Sequence, residues 1–272
     1  TEARQALTVS ELCDLYVQDG PNYKPDKKES TWTTDKSNIE RHIKPLLGQR
    51  KANALKQADV ARFQADVANG KSKMYLKTKP RGAVRVVGGK GTAARSLGVL
   101  GAMYEFGKRC GYVDHNPARG IPKYKTRRIE RFLNNSELAR LGDTLNEAEK
   151  EGINPVPLNV IRMLLMTGGR KGEILTLKWE YIDFEKGYLN LPESKTGAKR
   201  VPLGAPALQL LAGLPRESDY TFPATDDSEN HFVGLHKIWV DSSKKAGLED
   251  VSIRDLRRSF ACLGGRSWDR LC

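Results

Sequence analysis

The stretch NPARGIPKYKTRRIERF, residues 116–132, divides the chain into two parts with different hydrophobic patterns. It has two prolines, six basic residues and no hydrophobic repeat, which is typical of an interdomain linker, although a basic linker can also follow a phosphate backbone. Apolar residues before it recur at helical spacing, whereas those after it mix helical spacing with period two. We therefore predict a helical domain at residues 1–115, a basic linker at 116–132 and an α+β domain at 133–272.

The first part of the chain has the pattern of a small helical bundle. Thr8 and Glu11 have the spacing of a capping box at the start of a first helix. The stretch 70–91 is rich in Gly and Lys with little apolar period, which predicts an exposed loop or a short hairpin. Residues 20–33 are polar and interrupted by proline, so they predict a loop. Further helices are predicted at residues 35–47, 57–68 and 92–110.

The second part predicts helices around a small antiparallel sheet. Asn134 and Glu137 mark another capped helix start, and an apolar helix follows at residues 157–166. After Trp179 the period changes to two in YIDF, YLNL and RVPL, which predicts three short antiparallel strands. The SKTG connection places Lys195 at or beside a hairpin tip. Helices return at residues 206–214, 231–246 and 253–263, so the predicted fold class is mainly α with a small antiparallel β-sheet.

The net charge of +13 is confined to the first half of the chain. Residues 1–130 hold 26 Lys or Arg against 13 Asp or Glu, whereas residues 131–272 hold 20 of each. The chain has no basic amphipathic helix suited to lipid, so this excess indicates a nucleic-acid partner. A basic surface that serves only solubility is the alternative.

Several other classes of protein are not supported by the sequence. It has no apolar run of about 18 residues and no secretory signal, so we predict a cytoplasmic protein without a membrane partner. The four cysteines are far apart and form no CxxC pair, which argues against a disulfide framework and against a zinc site. Clustered carboxylates do not accompany the basic groups, so a metal-dependent nuclease is not indicated and no cofactor is expected.

Cations occur on three separate elements of the second part. Arg170 follows the Gly168–Gly169 pair at a predicted helix start, where the backbone N–H groups favour an anion such as phosphate. Lys195 lies on the hairpin connection. For each element an ordinary exposed cation is the alternative, but together they indicate one phosphate ligand. The last helix places three arginines on the face opposite its apolar stripe: Arg254, Arg257 and Arg258.

In their order and spacing these features resemble the catalytic domain of the tyrosine recombinases, the phage integrase family. The matching stretches are TGGRKGEILTLKWEYIDF, LPESKTGAKRVPL and RDLRRSFA. The first is the most specific, because its arginine, the acid three residues later and the tryptophan all fall in place. The resemblance covers about residues 134–263. It extends less specifically into the first half, where GQRKANALKQADVARFQADV and GYVDHNPARGI look like pieces of a helical, SAM-like core-binding domain.

The resemblance implies two domains around duplex DNA and strand cleavage through a 3′-phosphotyrosine link, without metal or nucleotide. Arg170 and Arg257 would bind the non-bridging oxygens of the scissile phosphate and stabilise the transition state. Lys195 would protonate the leaving 5′-oxygen. Glu173 would orient basic groups of the site, with an ordinary exposed glutamate in a first helical turn as the alternative.

Two departures from the family pattern affect the expected chemistry. Arg254 stands where the family usually has His, sometimes Lys, so it can contact phosphate but cannot transfer a proton. No tyrosine follows Arg257, and Tyr181, Tyr188 and Tyr220 before it lie in strand or loop contexts that do not match the nucleophile. We therefore expect a catalytic domain truncated at its C-terminus and lacking the nucleophile. The beginning of the chain is compatible with the loss of an arm-binding domain.

The expected function is that of a tyrosine-type site-specific recombinase that binds double-stranded DNA but does not cleave it. The alternative is a non-enzymatic, degenerate integrase that acts as a DNA-binding or regulatory protein. The resemblance implies a tetramer on DNA for the intact family, and we expect this chain to be a monomer in solution. The candidate DNA-binding residues are Lys90, Thr92, Arg95, Lys108, Arg109, Arg119, Lys123, Lys125, Arg127 and Arg128.

Overall fold

The computed structural model describes residues 7–79, 82–125, 131–192, 194 and 197–264. The chain forms two compact units, Thr1–Arg128 and Ile129–Cys272, and each unit has a hydrophobic core of its own. Within the described ranges, none of the helices combines the length and the apolar character needed to cross a bilayer.

The first unit contains helices and one β-hairpin. Thr8 and Glu11 form the expected capping box, in which Thr8 Oγ1 accepts the Glu11 N–H at 3.2 Å. The hairpin pairs β1 (Met74–Lys79) with β2 (Gly82–Val86) in antiparallel register. The helices are α1 (Val9–Tyr23), α2 (Glu29–Asn38), α3 (Lys44–Leu47), α4 (Gln57–Ala68) and α5 (Lys90–Arg109), with a π-helical turn at Ile39–Ile43 between α2 and α3.

The loop predicted at residues 20–33 was too long, since α1 and α2 both extend into it. The reason is tertiary packing. Trp32 is buried, and its ring centroid lies 5.1 Å from that of Tyr16. The Nζ atom of Lys27 lies 3.5 Å from the centroid of the Trp32 ring and also pairs with the carboxylate of Asp35. These contacts stabilise helical structure in a segment whose sequence is polar.

The first residues of the predicted linker pack against the first unit. Gln57 Nε2 donates a hydrogen bond to the carbonyl of Arg119 at 2.8 Å. Gln64 Nε2 donates to the carbonyl of Pro122 at 3.0 Å. The chain therefore lies against α4 beyond residue 116, and residues 126–130 lie outside the described ranges.

The second unit is helical with a small antiparallel sheet, which confirms the predicted fold class. Asn134 Oδ1 accepts the Glu137 N–H at 2.9 Å, so this capping box also forms as expected. Its helices are α6 (Asn135–Lys150), α7 (Pro155–Thr167), α8 (Lys171–Leu175), α9 (Ala205–Ala212), α10 (Leu235–Lys245) and α11 (Ile253–Gly264).

The three period-two segments form the sheet of the second unit in the order β3-β4-β5. Leu189 is the buried centre of this sheet, because it lies opposite Ile182 on one side and Val201 on the other. The connection between the last two strands contains Lys195, which lies outside the described residues. The strands are β3 (Ile182–Asp183), β4 (Tyr188–Leu191) and β5 (Lys199–Pro202).

Candidate functional site

Two glycines shape the turn between α7 and α8. Gly168 is left-handed at φ +58°, and a Cβ atom there would lie 2.3 Å from Phe260 Cδ1 on α11. A Cβ atom at Gly169 would lie 2.7 Å from Ile174 Cδ1. The absence of side chains therefore lets α11 pack directly on the turn.

Arg257 on α11 contacts the same turn. Its Nη1 atom donates a hydrogen bond to the carbonyl oxygen of Gly168 at 2.5 Å. Arg170 follows two residues later, immediately before α8. The structure thus brings the two arginine motifs of the second unit to one turn, where Arg257 is exposed and the side chain of Arg170 is 34% exposed.

The carboxylate of Glu173 holds two cations at this turn. One oxygen accepts from Arg170 Nη1 at 2.7 Å, and the other accepts from Lys199 Nζ at 2.7 Å and from the Arg170 backbone N–H at 2.9 Å. Burial opposes its ionisation, but hydrogen bonds from Lys199 and Arg170 outweigh burial and lower the pKa of Glu173. With a side chain only 9% exposed, Glu173 is not an ordinary surface glutamate.

The helix after Arg170 is shorter than the sequence predicts, and the carboxylate of Glu173 lies at its start. The apolar residues Ile174, Leu175 and Leu177 predict a helix that includes Leu177. The prediction is wrong at that end, because α8 ends at Leu175 and the Leu177 carbonyl accepts the N–H of Thr221 at 2.8 Å. The N–H of Arg170, the residue before the first helical turn, donates to Glu173, so a carboxylate of the protein itself lies at this helix start. Binding of a phosphate by the first-turn amides stays a prediction.

The arginines of α11 have different environments. Arg254 is exposed. Arg258 donates a hydrogen bond to the carboxylate of Asp255, which is 3% exposed. Burial opposes ionisation of Asp255, but hydrogen bonds from Ser252 and Arg258 outweigh burial and lower its pKa. The positive charge of the three arginines on this helix is therefore partly offset by the carboxylate of Asp255.

The lysine found at the turn is one that the sequence analysis missed. Lys195, the expected general acid, lies outside the described residues. Lys199 at the start of β5 reaches Glu173 from the same hairpin. The alternation of side chains along the strand could have identified Lys199, since Lys199 and Val201 occupy the two half-buried positions of β5. A lysine in register with an inward-facing valine indicates a paired rather than a solvated cation.

The candidate DNA-binding residues on α5 lie at its opposite ends. Lys90, Thr92 and Arg95 are in the first turns, and Thr92 Oγ1 accepts a hydrogen bond from Arg95 Nη2 at 3.5 Å. Lys108 and Arg109 are in the last turn. A helix rises about 1.5 Å per residue, so Arg95 and Lys108 are about 20 Å apart along the axis. They do not form one patch.

A surface groove joins the C-terminal end of α5 to the segment that follows. Lys108 and Arg119 line this groove together with Lys56, which the sequence analysis did not single out. The Lys123 Nζ atom lies 3.3 Å from the position of a Cβ atom at Gly98, so this lysine extends over α5. Lys125 is exposed, whereas Arg127 and Arg128 lie outside the described residues.

Neither metal ligands nor disulfides are found in the part of the chain that the structure describes. There, no group of three or more His, Cys, Asp or Glu side chains is placed to hold a metal ion. Cys13, Cys110 and Cys262 are free thiols.

Comparison with known sequences identifies two matching segments. The family model described as "Phage integrase family" matches residues 131–263, and the one described as "Phage integrase, N-terminal SAM-like domain" matches residues 8–67. The prophage integrase IntR of Escherichia coli is 24% identical, with 95% of this chain and 70% of the relative covered. The shufflon-specific DNA recombinase of Escherichia coli is 28% identical, with 71% of this chain and 48% of the relative covered. The tyrosine recombinase XerA of Pyrococcus furiosus is 31% identical, with 48% and 51% covered.

Comparison with solved structures identifies the same fold. A lambda integrase tetramer bound to a Holliday junction has a TM-score of 0.72 at 15% identity, with 98% of this chain and 76% of that chain covered. The Tn1549 transposon integrase in complex with circular intermediate DNA has a TM-score of 0.68 at 13% identity, with 97% and 89% covered.

Proposed function

The chain belongs to the phage integrase family of tyrosine recombinases, and from that premise we propose that it binds duplex DNA and holds one backbone phosphate at the turn Gly168–Arg170. The observation that carries this proposal is the hydrogen bond from Arg257 to the Gly168 carbonyl, which brings two arginine motifs distant in sequence to one turn. Both guanidinium groups are accessible from solvent there.

The chemistry of the two arginines suits a phosphodiester. A guanidinium is planar and permanently charged, and its N–H groups match the spacing of two phosphate oxygens. Arg170 and Arg257 bind the non-bridging oxygens, and the same charges would stabilise a pentavalent phosphate if a nucleophile were supplied. Arg254, one turn before Arg257 on α11, adds a phosphate contact without proton transfer.

Two lysines have separate roles in the proposed site. Lys195 on the β4–β5 connection would be the general acid for the leaving 5′-oxygen if a nucleophile were supplied. Lys199 is a positioning residue, because its ammonium group and Arg170 share the carboxylate of Glu173. Removing the Lys199 charge would therefore alter the position of Arg170 without removing a phosphate ligand.

The first unit binds DNA through its basic residues. Lys56, Lys108 and Arg119 contact phosphates from the groove beside α5, and Lys90 and Arg95 contact them at the other end of that helix. Binding releases condensed counterions and is strongly salt-dependent. The dimers and tetramers of the similar integrases are bound to DNA, and we propose that this chain is a monomer in its absence.

We propose that these 272 residues bind DNA without a covalent link to it. The sequence has nine tyrosines, and the last of them is Tyr220, ahead of Arg257. Tyr220 packs against Lys178 and His231, whose side chains lie 5.5 and 5.7 Å from its ring centroid. Arg254 also favours a second candidate function, a DNA-binding or regulatory protein derived from an integrase.

The phosphate site is tested by ligand stabilisation, measured as the midpoint of thermal unfolding. We expect inorganic phosphate to raise the midpoint of the wild type, and Arg170→Gln and Arg257→Gln to remove this effect. Lys245→Gln is the matched control, because Lys245 is exposed and pairs with Glu151 at 3.0 Å. Equal stabilisation of all three variants would overturn the assignment of the site.

Cleavage is tested with nicked duplexes of random sequence, followed by denaturing electrophoresis. We expect no protein–DNA adduct that survives denaturation. An adduct would show that one of the tyrosines present is a nucleophile. It would also exclude the purely regulatory alternative.

A further inference from the structure

The β1–β2 hairpin is a basic element that the proposed site does not use. It lies between the two segments that the family models match, residues 8–67 and 131–263. The surrounding sequence, residues 70–91, has seven Lys or Arg and no Asp or Glu. A run of cations without any acid is the composition of a surface that meets a polyanion.

Successive side chains of a strand point to opposite faces, and this alternation places several of these cations on one face of the hairpin. Lys73, Tyr75 and Lys77 alternate along the chain into β1, and all three are exposed. Arg85 on β2 lies directly opposite Tyr75 and is exposed as well. Tyr75 is 65% exposed, whereas Val86, on the other face, is 7% exposed. The hairpin therefore presents an aromatic ring surrounded by three positive charges.

The base of the hairpin is firmly attached to the first unit. Ser72 Oγ and His42 Nδ1 form a buried hydrogen bond of 2.7 Å. The Gly89 N–H donates to the carbonyl of Val67 at 3.2 Å. A Cβ atom at Gly88 would lie 2.4 Å from that same carbonyl, and Gly88 has φ +86°, so a glycine is required where the chain leaves β2. The cationic face is thus held in a defined orientation.

We propose that the exposed face of the β1–β2 hairpin, formed by Lys73, Tyr75, Lys77 and Arg85, binds across a groove of duplex DNA. The three cations contact phosphates and the Tyr75 ring contacts the sugars or base edges between them. A two-stranded ribbon fits the major groove, which is about 12 Å wide, and the six residues of β1 extend about 20 Å along it. This inference rests on the proposed DNA-binding function and adds a contact element to it.

The position of the hairpin in the chain supports DNA over an acidic protein or a lipid surface. Its second strand leads through Gly88 and Gly89 directly into the first turn of α5, which begins at Lys90. The exposed cations Lys90 and Arg95 are therefore adjacent to the hairpin base, and both elements can follow one continuous phosphate backbone.

The test compares two triple variants with the same loss of charge. The first is Lys73→Gln/Lys77→Gln/Arg85→Gln. The control, Lys150→Gln/Lys186→Gln/Lys245→Gln, removes three exposed lysines of the second unit, of which Lys186 and Lys245 lie 3.9 and 3.0 Å from the carboxylates of Asp183 and Glu151. Fluorescence anisotropy with a labelled random-sequence duplex gives the affinity of the full chain at several salt concentrations. Circular dichroism checks that each variant is folded.

We expect the hairpin variant to bind at least about tenfold more weakly than the control variant at physiological salt, with a salt slope reduced by about 0.9 for each lost phosphate contact. Tyr75→Ala should weaken binding without a change in slope, because it removes no charge. Equal affinity and slope in the two triple variants, with the wild type binding DNA, would overturn this inference alone.

Two further outcomes separate the alternatives. If the wild type does not bind duplex DNA at any salt concentration, the proposed function itself fails, whatever the hairpin does. Vesicles containing phosphatidylserine serve as the lipid probe. If the hairpin substitutions abolish vesicle binding and leave duplex affinity unchanged, the hairpin is a membrane contact and the inference is wrong.

Discussion

The Nη1 atom of Arg257 donates a hydrogen bond to the carbonyl oxygen of Gly168. Phe260, one turn further along α11, packs on the same glycine, so the helix and the turn meet without an intervening side chain. The position of Arg257 relative to Arg170 therefore depends on a backbone that only glycine adopts easily.

The first prediction concerns Gly168→Ala. The left-handed φ of +58° costs an alanine about 1–2 kcal/mol, and its Cβ atom would meet the Phe260 ring at 2.3 Å. We expect the free energy of unfolding, measured in urea, to fall by about 2 kcal/mol or more. Stabilisation by inorganic phosphate should be lost as α11 moves away from the turn.

Gly172→Ala is the matched control for this change. Gly172 lies in α8, and a Cβ atom there would meet no atom within 4 Å. We expect this variant to be as stable as the wild type or more stable by about 0.5–1 kcal/mol, because alanine favours the helix. Equal effects of the two substitutions would contradict the packing of α11 on Gly168.

The second prediction concerns the pH dependence of Glu173. Its pKa is lowered in the folded protein because hydrogen bonds from Lys199 and Arg170 outweigh burial. The ionised carboxylate therefore stabilises the fold above the ordinary value of 4.5, and this stabilisation is lost as the pH falls through the lowered pKa. The difference in unfolding free energy between the wild type and Glu173→Gln should shrink as the pH falls from neutral towards about 3.

Glu180→Gln provides the comparison for this measurement. Glu180 is 66% exposed and its carboxylate lies 3.9 Å from the Lys178 ammonium group, so solvent screens the pair. The difference in unfolding free energy between Glu180→Gln and the wild type should be small at every pH. A pH-independent difference for Glu173→Gln would show that its carboxylate is not paired in the folded state.

The third prediction concerns the ion pair of Lys27 and Asp35, whose side chains are 15% and 12% exposed. Asp35→Ala leaves the ammonium group without its countercharge in a low-dielectric site and should cost about 3 kcal/mol of unfolding free energy. Adding Lys27→Met should recover much of this loss, because the remaining charge is removed. A double-mutant cycle in urea measures both effects.

Asp14→Ala breaks a comparable but exposed pair. Asp14 is 64% exposed and accepts from Lys44 Nζ at 2.7 Å, so its removal should cost less than about 1 kcal/mol. If Asp35→Ala costs no more than this control, the pair with Lys27 contributes little to the packing of α2.

The fourth prediction concerns the groove beside α5. Lys108→Gln/Arg119→Gln removes two proposed phosphate contacts, so the slope of log affinity against log salt should decrease by about 1.8. Anisotropy with a random-sequence duplex measures the slope. The control Lys150→Gln/Lys245→Gln removes the same charge and should change the slope much less. Identical slopes would place the DNA contacts elsewhere.

Local signals predicted the two capped helix starts and the sheet correctly. The capping boxes at Thr8 and Asn134 are satisfied within four residues of chain, so the sequence alone contains all their partners. The change to period two after Trp179 likewise reports which side chains of each strand face the core.

Features that depend on tertiary contacts were not predictable in the same way. The polar residues directly before Trp32, from Glu29, are helical because Tyr16 packs against that ring, and Tyr16 lies on another helix. The helix after Arg170 ends early because the Leu177 carbonyl bonds to Thr221, 44 positions along the chain. The role of Lys199 was missed for the same reason, since its partner Glu173 belongs to a different element.

The single carboxylate of Glu173 has two roles, because it caps a helix and it also positions two cationic side chains. It completes the start of α8 through the Arg170 N–H and holds the side chains of Arg170 and Lys199. An engineer who wishes to retune DNA affinity at this position cannot change one role in isolation. Any replacement that cannot accept the Arg170 N–H calls for a compensating helix cap elsewhere in the turn, which makes Glu173 a poor first target for library design.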